Sequence, residues 1–182
     1  MGATVDWIVD LDATLDEAPA LAKRVTEWLI AREIVSPTLC PERAYSGADL
    51  MVRGASAAQW DACPMTPPFN MCGLEVVIER TVFHSGDNGI DTIRCPGCGA
   101  AHHPDDIPWS DAVGAWFSAE ADHTMACPAC HASQSIVDWT FDVPWGFGNL
   151  AFGFWNWPIT DRLVDEVSAL TGHRCRHVEE HI

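Results

Sequence analysis

The chain has 182 residues, of which 48% are hydrophobic and 20% are charged, which is typical of a globular protein with one well-buried core. Its formal net charge of −16, from 26 acidic and 10 basic residues, would repel phosphate backbones and attract basic proteins. The charge therefore argues against direct binding to nucleic acid.

No apolar run approaches the roughly 20 residues that a membrane-spanning helix needs. Asp6, Asp10 and Asp12 interrupt the first hydrophobic residues, so a secretion signal is not predicted either. We therefore expect a cytoplasmic protein without membrane contact. In that compartment paired cysteines are more often metal ligands than disulfides.

Two elements are predicted at the start of the chain. Residues 4–12 alternate apolar and acidic side chains, which indicates a short strand. From about Glu17 to Glu33, apolar side chains recur at helical spacing, which indicates a helix with one buried face. The run Val9–Thr14 resembles the first motif of haloacid dehalogenase-like phosphatases, but that family needs a downstream lysine and none follows Lys23. An acidic entry into the helix is the preferred interpretation.

Residues 37–73 are the least regular part of the chain, because prolines interrupt them repeatedly. Cys40, Cys63 and Cys72 lie in this stretch without the spacing of a metal-binding pair. Together with His84 they could form a second metal site, and the alternative is that they are buried free thiols.

A hairpin is predicted next. Leu74 to Phe83 alternates apolar and polar residues and reads as one strand. Residues 86–89 (Gly-Asp-Asn-Gly) predict a tight turn, after which Asp91 to Arg94 should return antiparallel.

Two Cys-x-x-Cys pairs follow, and they are the strongest signal in the sequence. Cys95 and Cys98 form the first pair, and Cys127 and Cys130 form the second, each with a proline after its first cysteine. Each pair can wrap two sulfur atoms around one side of a tetrahedral ion. We therefore predict a structural zinc site with four thiolate ligands, with iron as a minor alternative. Four histidines are near in sequence (His102, His103, His123 and His131), and one of them could replace a cysteine or make an open catalytic site.

The residues between the two pairs, 99–126, should hold a short helix that begins near Pro108. They are rich in acidic residues, and Arg94 is the only basic residue flanking either pair. After the second pair, Ser135 to Val143 is predicted to form an outgoing strand with Val137, Trp139 and Phe141 on one face.

The segment from Trp145 to Pro158 places glycines between aromatic residues, which lets the backbone turn tightly and the rings pack closely. Two interpretations are open: a segment that closes the core, or an aromatic platform for a partner. The partner-binding interpretation uses five side chains: Trp145, Phe147, Phe154, Trp155 and Trp157.

A last helix is predicted from Asp161 to Thr171, capped by Thr160 and stopped by Gly172. The tail, residues 173–182, could add an edge strand, with its three histidines at the surface.

The two cysteine pairs, followed by Trp-Gly-Phe-Gly-Asn-Leu at 145–150 and Phe-Trp-Asn-Trp-Pro at 154–158, are similar to a group of small uncharacterised bacterial proteins. The resemblance covers about residues 74–178 and implies no particular activity. Such proteins are sometimes labelled as sugar-transporter ATPases, but this sequence has no Gly-x-x-x-x-Gly-Lys-Ser/Thr phosphate loop.

We therefore predict an α+β fold in a single domain of residues 1–182: a small, mainly antiparallel sheet with packed helices and a zinc ribbon-like insertion at 91–140. The leading function hypothesis is a non-enzymatic acidic protein that binds a basic protein partner. An immunity protein or inhibitor of a bacterial toxin, such as a nuclease, would have these properties.

Two other classes of function remain open. An accessory protein of nucleic-acid machinery would need a local basic patch, for which the candidates are Arg43, Arg53, Arg80 and Arg94. A hydrolytic enzyme would need convergent acid–base residues, for which the candidates are His84, His102, His103, Asp105 and Asp106.

Overall fold

The computed structural model describes residues 2–63, 71–86 and 89–182. Residues 87 and 88 of the predicted turn, and Pro64, Pro67 and Pro68, lie outside the described residues. The helices are α1 (Ala18–Ala31), α2 (Trp109–Phe117) and α3 (Asp161–Thr171). The strands are β1 (Thr4–Asp10), β2 (Val35–Leu39), β3 (Met51–Arg53), β4 (Gly73–Val77), β5 (Thr81–Phe83), β6 (Ile93–Arg94), β7 (Ala101–His102), β8 (Thr124–Ala126), β9 (Ser133–Ser135), β10 (Thr140–Phe141), β11 (Gly146–Gly148), β12 (Leu150–Trp155) and β13 (Cys175–His181).

Six strands form one antiparallel sheet in the order β13-β1-β12-β4-β3-β2. β1 pairs with β12 from Val5 opposite Trp155 to Asp10 opposite Leu150, and its other edge pairs with β13. β1 is buried from Val5 to Asp10 because both faces of the sheet are covered. The fold is therefore α+β with mainly antiparallel strands, as the sequence predicts. Among the described residues, no helix is long and apolar enough to cross a membrane.

Helices α1 and α3 pack on one face of this sheet. Leu21 and Leu29 of α1 and Leu163 of α3 belong to one buried cluster with Ile8 of β1. Helix α3 has the predicted bounds and ends at Gly172, which adopts the left-handed conformation (φ 76°) that favours glycine. Thr160 occupies the N-cap position, although its side chain makes no capping hydrogen bond.

The opposite face of the sheet, here called the outer face, carries its own apolar cluster. Val5, Trp7 and Val9 of β1 pack there with Trp155 of β12 and Val178 of β13. Strand β5 supplies Phe83 to the same cluster from a separate two-stranded sheet with β11.

A third cluster fills the cysteine lobe, which we define as residues 91–141. Trp116 of α2, Met125 of β8 and Trp139 form its centre with the buried thiols of Cys95 and Cys127. Around it lie the sheet β10-β6-β7 and the hairpin β8–β9. The lobe thus has an apolar interior that supports the two cysteine pairs.

Two predicted strands are wrong as single elements. Leu74–Phe83 divides into β4, which joins the six-stranded sheet, and β5, which pairs with β11. Ser135–Val143 is interrupted by a 3-10 helix at Ile136–Asp138, whose first turn is capped when the Ser135 hydroxyl accepts from the Val137 N–H. Burial does not alternate in the first stretch, where Leu74 and Glu75 are both buried and Ile78 and Glu79 are both exposed. Different pairing partners divide the first stretch, and a local 3-10 helix divides the second.

The region predicted to be least regular contains β2 and β3. Pro37 lies inside β2, where the missing N–H is tolerated because β2 is the edge strand of the sheet.

The aromatic segment contributes to the interior. Phe147, Phe154 and Trp157 are 0% exposed and Trp155 is 2% exposed, so these four rings do not form the exposed partner-binding platform considered above. Phe147, Phe154 and Trp155 are buried because β11 and β12 are covered on both faces. Trp157, which follows β12, packs edge-on against Phe154 with ring centroids 5.0 Å apart. Trp145 is half-buried, and partner binding through it stays a prediction.

The tail forms β13 at the sheet edge, as predicted, but two of its histidines are not simple surface residues. His173 Nδ1 lies 2.9 Å from the buried carboxylate of Asp10, and His177 Nε2 lies 3.1 Å from Asp6. Asp10 also accepts N–H hydrogen bonds from the turn after β1. These contacts give the acidic residues of β1 a structural role.

Candidate metal centre

Each cysteine pair sits at the tip of a short hairpin. Strands β6 and β7 flank Cys95 and Cys98, and β8 and β9 flank Cys127 and Cys130. Because a strand end holds its neighbouring side chains in a defined direction, this arrangement aims both pairs at one point.

The two turns share the same backbone hydrogen bonds. In the first, the Cys95 N–H donates to Ala100 and the Gly99 N–H donates to Cys95; in the second, the equivalent bonds join Cys127 to Ala132 and His131 to Cys127. The residue after each second cysteine is left-handed, with φ of 73° at Gly99 and 61° at His131. Glycine adopts this conformation freely, and His131 must be held in it by its surroundings.

The four sulfur atoms lie within 4.8 Å of one another. Cys95 Sγ is 3.9 Å from Cys130 Sγ, and Cys98 Sγ is 3.8 Å from Cys127 Sγ. A disulfide needs about 2.05 Å between its sulfur atoms, whereas a tetrahedron with metal–sulfur bonds of about 2.3 Å has edges of about 3.8 Å. The cluster therefore has the dimensions of a tetrahedral thiolate site, and it could bind a metal ion.

The surroundings shift the pKa values of two of the four cysteines in opposite directions. Desolvation raises the pKa of the Cys127 thiol, but hydrogen bonds from the N–H groups of Cys130 and Ala129 and from His102 outweigh it, so that the pKa is lowered to about 6. At Cys98 the N–H of Ala100 lowers the pKa, but desolvation and contacts with the other three sulfur atoms raise it to about 12. The contacts between the sulfur atoms thus oppose deprotonation of Cys98, and a bound cation would remove that opposition.

His102 is near the cluster, but its ring makes a supporting contact. Its Nε2 lies 3.3 Å from Cys127 Sγ, a distance suited to a hydrogen bond with the sulfur. Such contacts orient metal ligands and tune their charge. Since four cysteine sulfur atoms would fill a tetrahedral site, a metal ion bound there would have no open position for a reacting water.

The other histidines considered for catalysis make separate local contacts. His84 stacks on Trp145 with ring centroids 4.9 Å apart, and His103 Nδ1 accepts a hydrogen bond from the Asp105 N–H. The second metal site considered for Cys40, Cys63, Cys72 and His84 is not found in the part of the chain that the structure describes. Among those residues, only the four-cysteine cluster brings three or more potential ligand atoms close enough together to hold a metal ion.

Three of the four arginines of the candidate basic patch are engaged with neighbouring side chains. Arg43 pairs with Asp49 at 2.9 Å, and Arg53 pairs with Asp61 at 2.6 Å. The guanidinium of Arg80 lies over the ring of Trp116 at 4.0 Å.

Sequence reasoning missed a group of side chains on the outer face of the sheet. Trp7, Glu75 and Glu180 come from three strands that are distant in sequence, and they line one cavity. The available signal was an acidic residue within a predicted strand, such as Glu75, but the sequence does not show what covers that face of the strand. Glu75 is 5% exposed.

The chain matches no protein-family model, no curated protein and no solved structure. Its function is therefore inferred from its own residues and their geometry.

Proposed function

We propose that this chain is a non-enzymatic protein that binds a basic protein partner, and that its four cysteines hold one structural zinc ion. The observation that carries the proposal is the charge of the cysteine lobe. The lobe contains seven carboxylates and a single arginine, Arg94. Six of them are exposed and have no lysine or arginine partner among the described residues: Asp91, Asp105, Asp106, Asp111, Glu120 and Asp122.

A surface of this kind favours a positively charged partner over a nucleic acid. Unpaired exposed carboxylates raise the rate at which a basic protein is captured, and like charge excludes acidic competitors. The same field repels phosphates, which speaks against the nucleic-acid alternative.

Zinc fits the donor set, because four thiolates in a closed tetrahedron are typical of structural zinc sites. Its role here would be to hold two short hairpins in place, and through them the acidic surface. Since the tetrahedron is full, the metal would not activate water, which favours a binding role over hydrolysis.

A more specific version of the proposal is an immunity protein or inhibitor that neutralises a basic toxin, such as a nuclease, in the cytoplasm. An acidic inhibitor can occupy the basic surface with which such a toxin binds its own substrate.

The test is a pull-down from native cells with metal-loaded protein, identified by mass spectrometry over a series of salt concentrations. We expect one stoichiometric basic protein, released as salt rises because screening weakens contacts between exposed charges. The triple variant Asp105→Asn, Asp106→Asn, Asp111→Asn should lose it. The control Asp16→Asn, Glu27→Gln, which removes two exposed charges from the α1 region, should retain it.

Three results would contradict the proposal: no captured basic protein at any salt concentration, a captured protein that is itself acidic, or capture that the triple variant and the control leave equally strong. The immunity version has its own test, in which the captured protein is expressed with and without this chain. Equal loss of cell growth in both cultures would refute that version alone.

A further inference from the structure

The outer face of the six-stranded sheet contains a cavity of about 250 Å³. Its walls combine aromatic rings with carboxylates: Trp7, Tyr45, Phe83, Trp155, Glu75 and Glu180. We call these six residues the acidic aromatic pocket. They come from β1, β4, β5, β12, β13 and the segment between β2 and β3, so the pocket forms only when these distant segments come together.

The rings stand at angles to one another and form a partial cage. Trp7 and Phe83 have centroids 4.8 Å apart at 49°, and Tyr45 meets Trp155 edge-on at 5.8 Å and 87°. Trp7, Phe83 and Trp155 are nearly buried, whereas Tyr45 is 63% exposed and forms the rim. A cage with one exposed ring lets a ligand enter while three rings stay fixed.

The carboxylates are held by neutral donors. Glu75 Oε2 accepts from the indole N–H of Trp155 at 2.6 Å, and its Oε1 accepts from the Ser46 hydroxyl at 2.9 Å. Glu180 Oε2 accepts from the indole N–H of Trp7 at 2.7 Å. These bonds fix both carboxylates in position and leave further lone pairs on their oxygens.

No positive charge balances these groups in the part of the chain that the structure describes. No arginine, lysine or histidine lines the cavity, and none forms an ion pair with Glu75 or Glu180. A carboxylate as buried as Glu75 is rarely left without a cation, because removing its charge from water is costly. Neutral indole and hydroxyl donors offset only part of that cost.

We infer that the acidic aromatic pocket binds an alkylammonium cation. Aromatic faces attract a cation through their quadrupoles, and the carboxylates supply charge-assisted hydrogen bonds to its N–H groups. The aliphatic stem of such a ligand would lie against Val77 and the rings. Two sources share this chemistry: a lysine side chain of a protein, which rests on the proposed function, and a free aliphatic amine, which does not.

The experiment is an NMR titration of the metal-loaded full chain with n-butylammonium, with n-butanol as the neutral probe. The indole N–H signals of Trp7 and Trp155 report directly, because these groups bond to the two carboxylates. We expect saturable shifts of both with n-butylammonium and none with n-butanol, while the signal of Trp139 in the cysteine lobe stays in place.

Tyr45→Ala and Glu75→Gln should each weaken binding by about tenfold or more, since each removes a cation contact. Tyr45 is largely exposed, so that its variant tests the pocket even if Glu75→Gln folds poorly. The control Glu42→Gln removes an exposed carboxylate outside the cavity and should change nothing. The absence of saturable shifts, or equal shifts with n-butanol, would overturn the inference, as would unchanged binding in Tyr45→Ala.

A short lysine peptide then distinguishes the two sources. If the peptide shifts the same signals more strongly than n-butylammonium, the ligand is a protein side chain; if the free amine binds better, the ligand is a small amine. Amine binding without any captured basic protein would support the pocket and refute the proposed function. Capture of a basic partner in the pull-down without amine binding would support the proposed function and refute the pocket.

Discussion

The indole of Trp7 lies across Gly153 on the neighbouring strand. The two residues are directly opposite each other in the pairing of β1 with β12. A Cβ atom added at Gly153 would lie 2.3 Å from Cζ3 of Trp7, so that only glycine leaves room for the ring. The glycine therefore sets the position of a wall of the acidic aromatic pocket.

Gly153→Ala should destabilise the protein by about 1–3 kcal/mol, because a buried ring would have to move away from its packed position. Displacing Trp7 should also disturb its hydrogen bond to Glu180. The measurement is urea unfolding together with the indole N–H signal of Trp7.

Gly114→Ala is the matched control. Gly114 lies within α2, and a Cβ added there would meet no atom within 4 Å. Alanine is the better helix former, so this variant should gain about 0.5–1 kcal/mol. A Gly153→Ala variant as stable as the unchanged protein would show that Trp7 has free space to move into.

The features that the sequence predicts well are local ones. The bounds of α3 follow from apolar spacing within one helix and from Gly172 at its end, and the four-cysteine cluster follows from the spacing within each pair. The proximity of the two pairs also follows, because a tetrahedral site needs four ligands and each pair supplies two.

The features that it predicts poorly depend on which strands become neighbours. The stretch Leu74–Phe83 has one alternating pattern, but β4 finds its partner in β12 and β5 finds its partner in β11. In the same way, Glu75 reads as a solvent-facing residue of a strand, until the packing of Trp155 and the Ser46 segment covers it. The alternation of apolar and polar residues indicates on which side of a strand a side chain lies, but not which other segments cover that side.

Arg174 connects the six-stranded sheet to the cysteine lobe. Its guanidinium bonds to Asp12, just after β1, and at 2.9 Å to Asp138 in the cysteine lobe. Since the side chain is 60% exposed, we expect Arg174→Ala to cost about 1 kcal/mol or less. A double-mutant cycle with Asp138→Asn in urea unfolding isolates the bond to the lobe.

The same interaction has a dependence on pH. The hydrogen bond from the Arg174 side chain lowers the pKa of Asp12. Because the pKa of Asp12 is lower in the folded than in the unfolded protein, the ion pair stabilises the folded state fully at pH values above the unfolded pKa, about 3.9. This stabilisation is lost as the pH falls through the pKa of the folded state. The difference between the unchanged protein and Arg174→Ala should therefore shrink in acid. In the control, Lys23→Ala removes the exposed pair with Glu27 and should cost less than about 0.5 kcal/mol.

His177 should make stability depend on pH in the opposite sense. Its hydrogen bond to Asp6 raises its pKa against the opposing effect of burial, and Glu179 and Asp161 add to the rise. Because the pKa of His177 is higher in the folded than in the unfolded protein, its contacts stabilise the folded state fully at pH values below the unfolded pKa, about 6.5. This stabilisation is lost as the pH rises through the pKa of the folded state. The free energy of unfolding of the unchanged protein, minus that of His177→Gln, should therefore decline above about pH 6.5. His181→Gln, an exposed change on the same strand, is the control, and parallel profiles for both variants would contradict the prediction.

Removing the metal ligands should loosen the cysteine lobe more than the six-stranded sheet. The hairpins β6–β7 and β8–β9 have only two or three residues per strand, and strands this short are not stable alone in water. In Cys127→Ser we therefore expect loss of a stoichiometric bound zinc, and faster amide exchange in both hairpins while β1 and β12 stay protected. Elemental analysis and hydrogen exchange measure the two effects, with Cys63→Ser as the control because Cys63 is exposed and outside the cluster. Absence of bound zinc from the Cys63→Ser control as well would show that the cluster holds no metal, and uniform loss of protection would show that the lobe and the sheet unfold together.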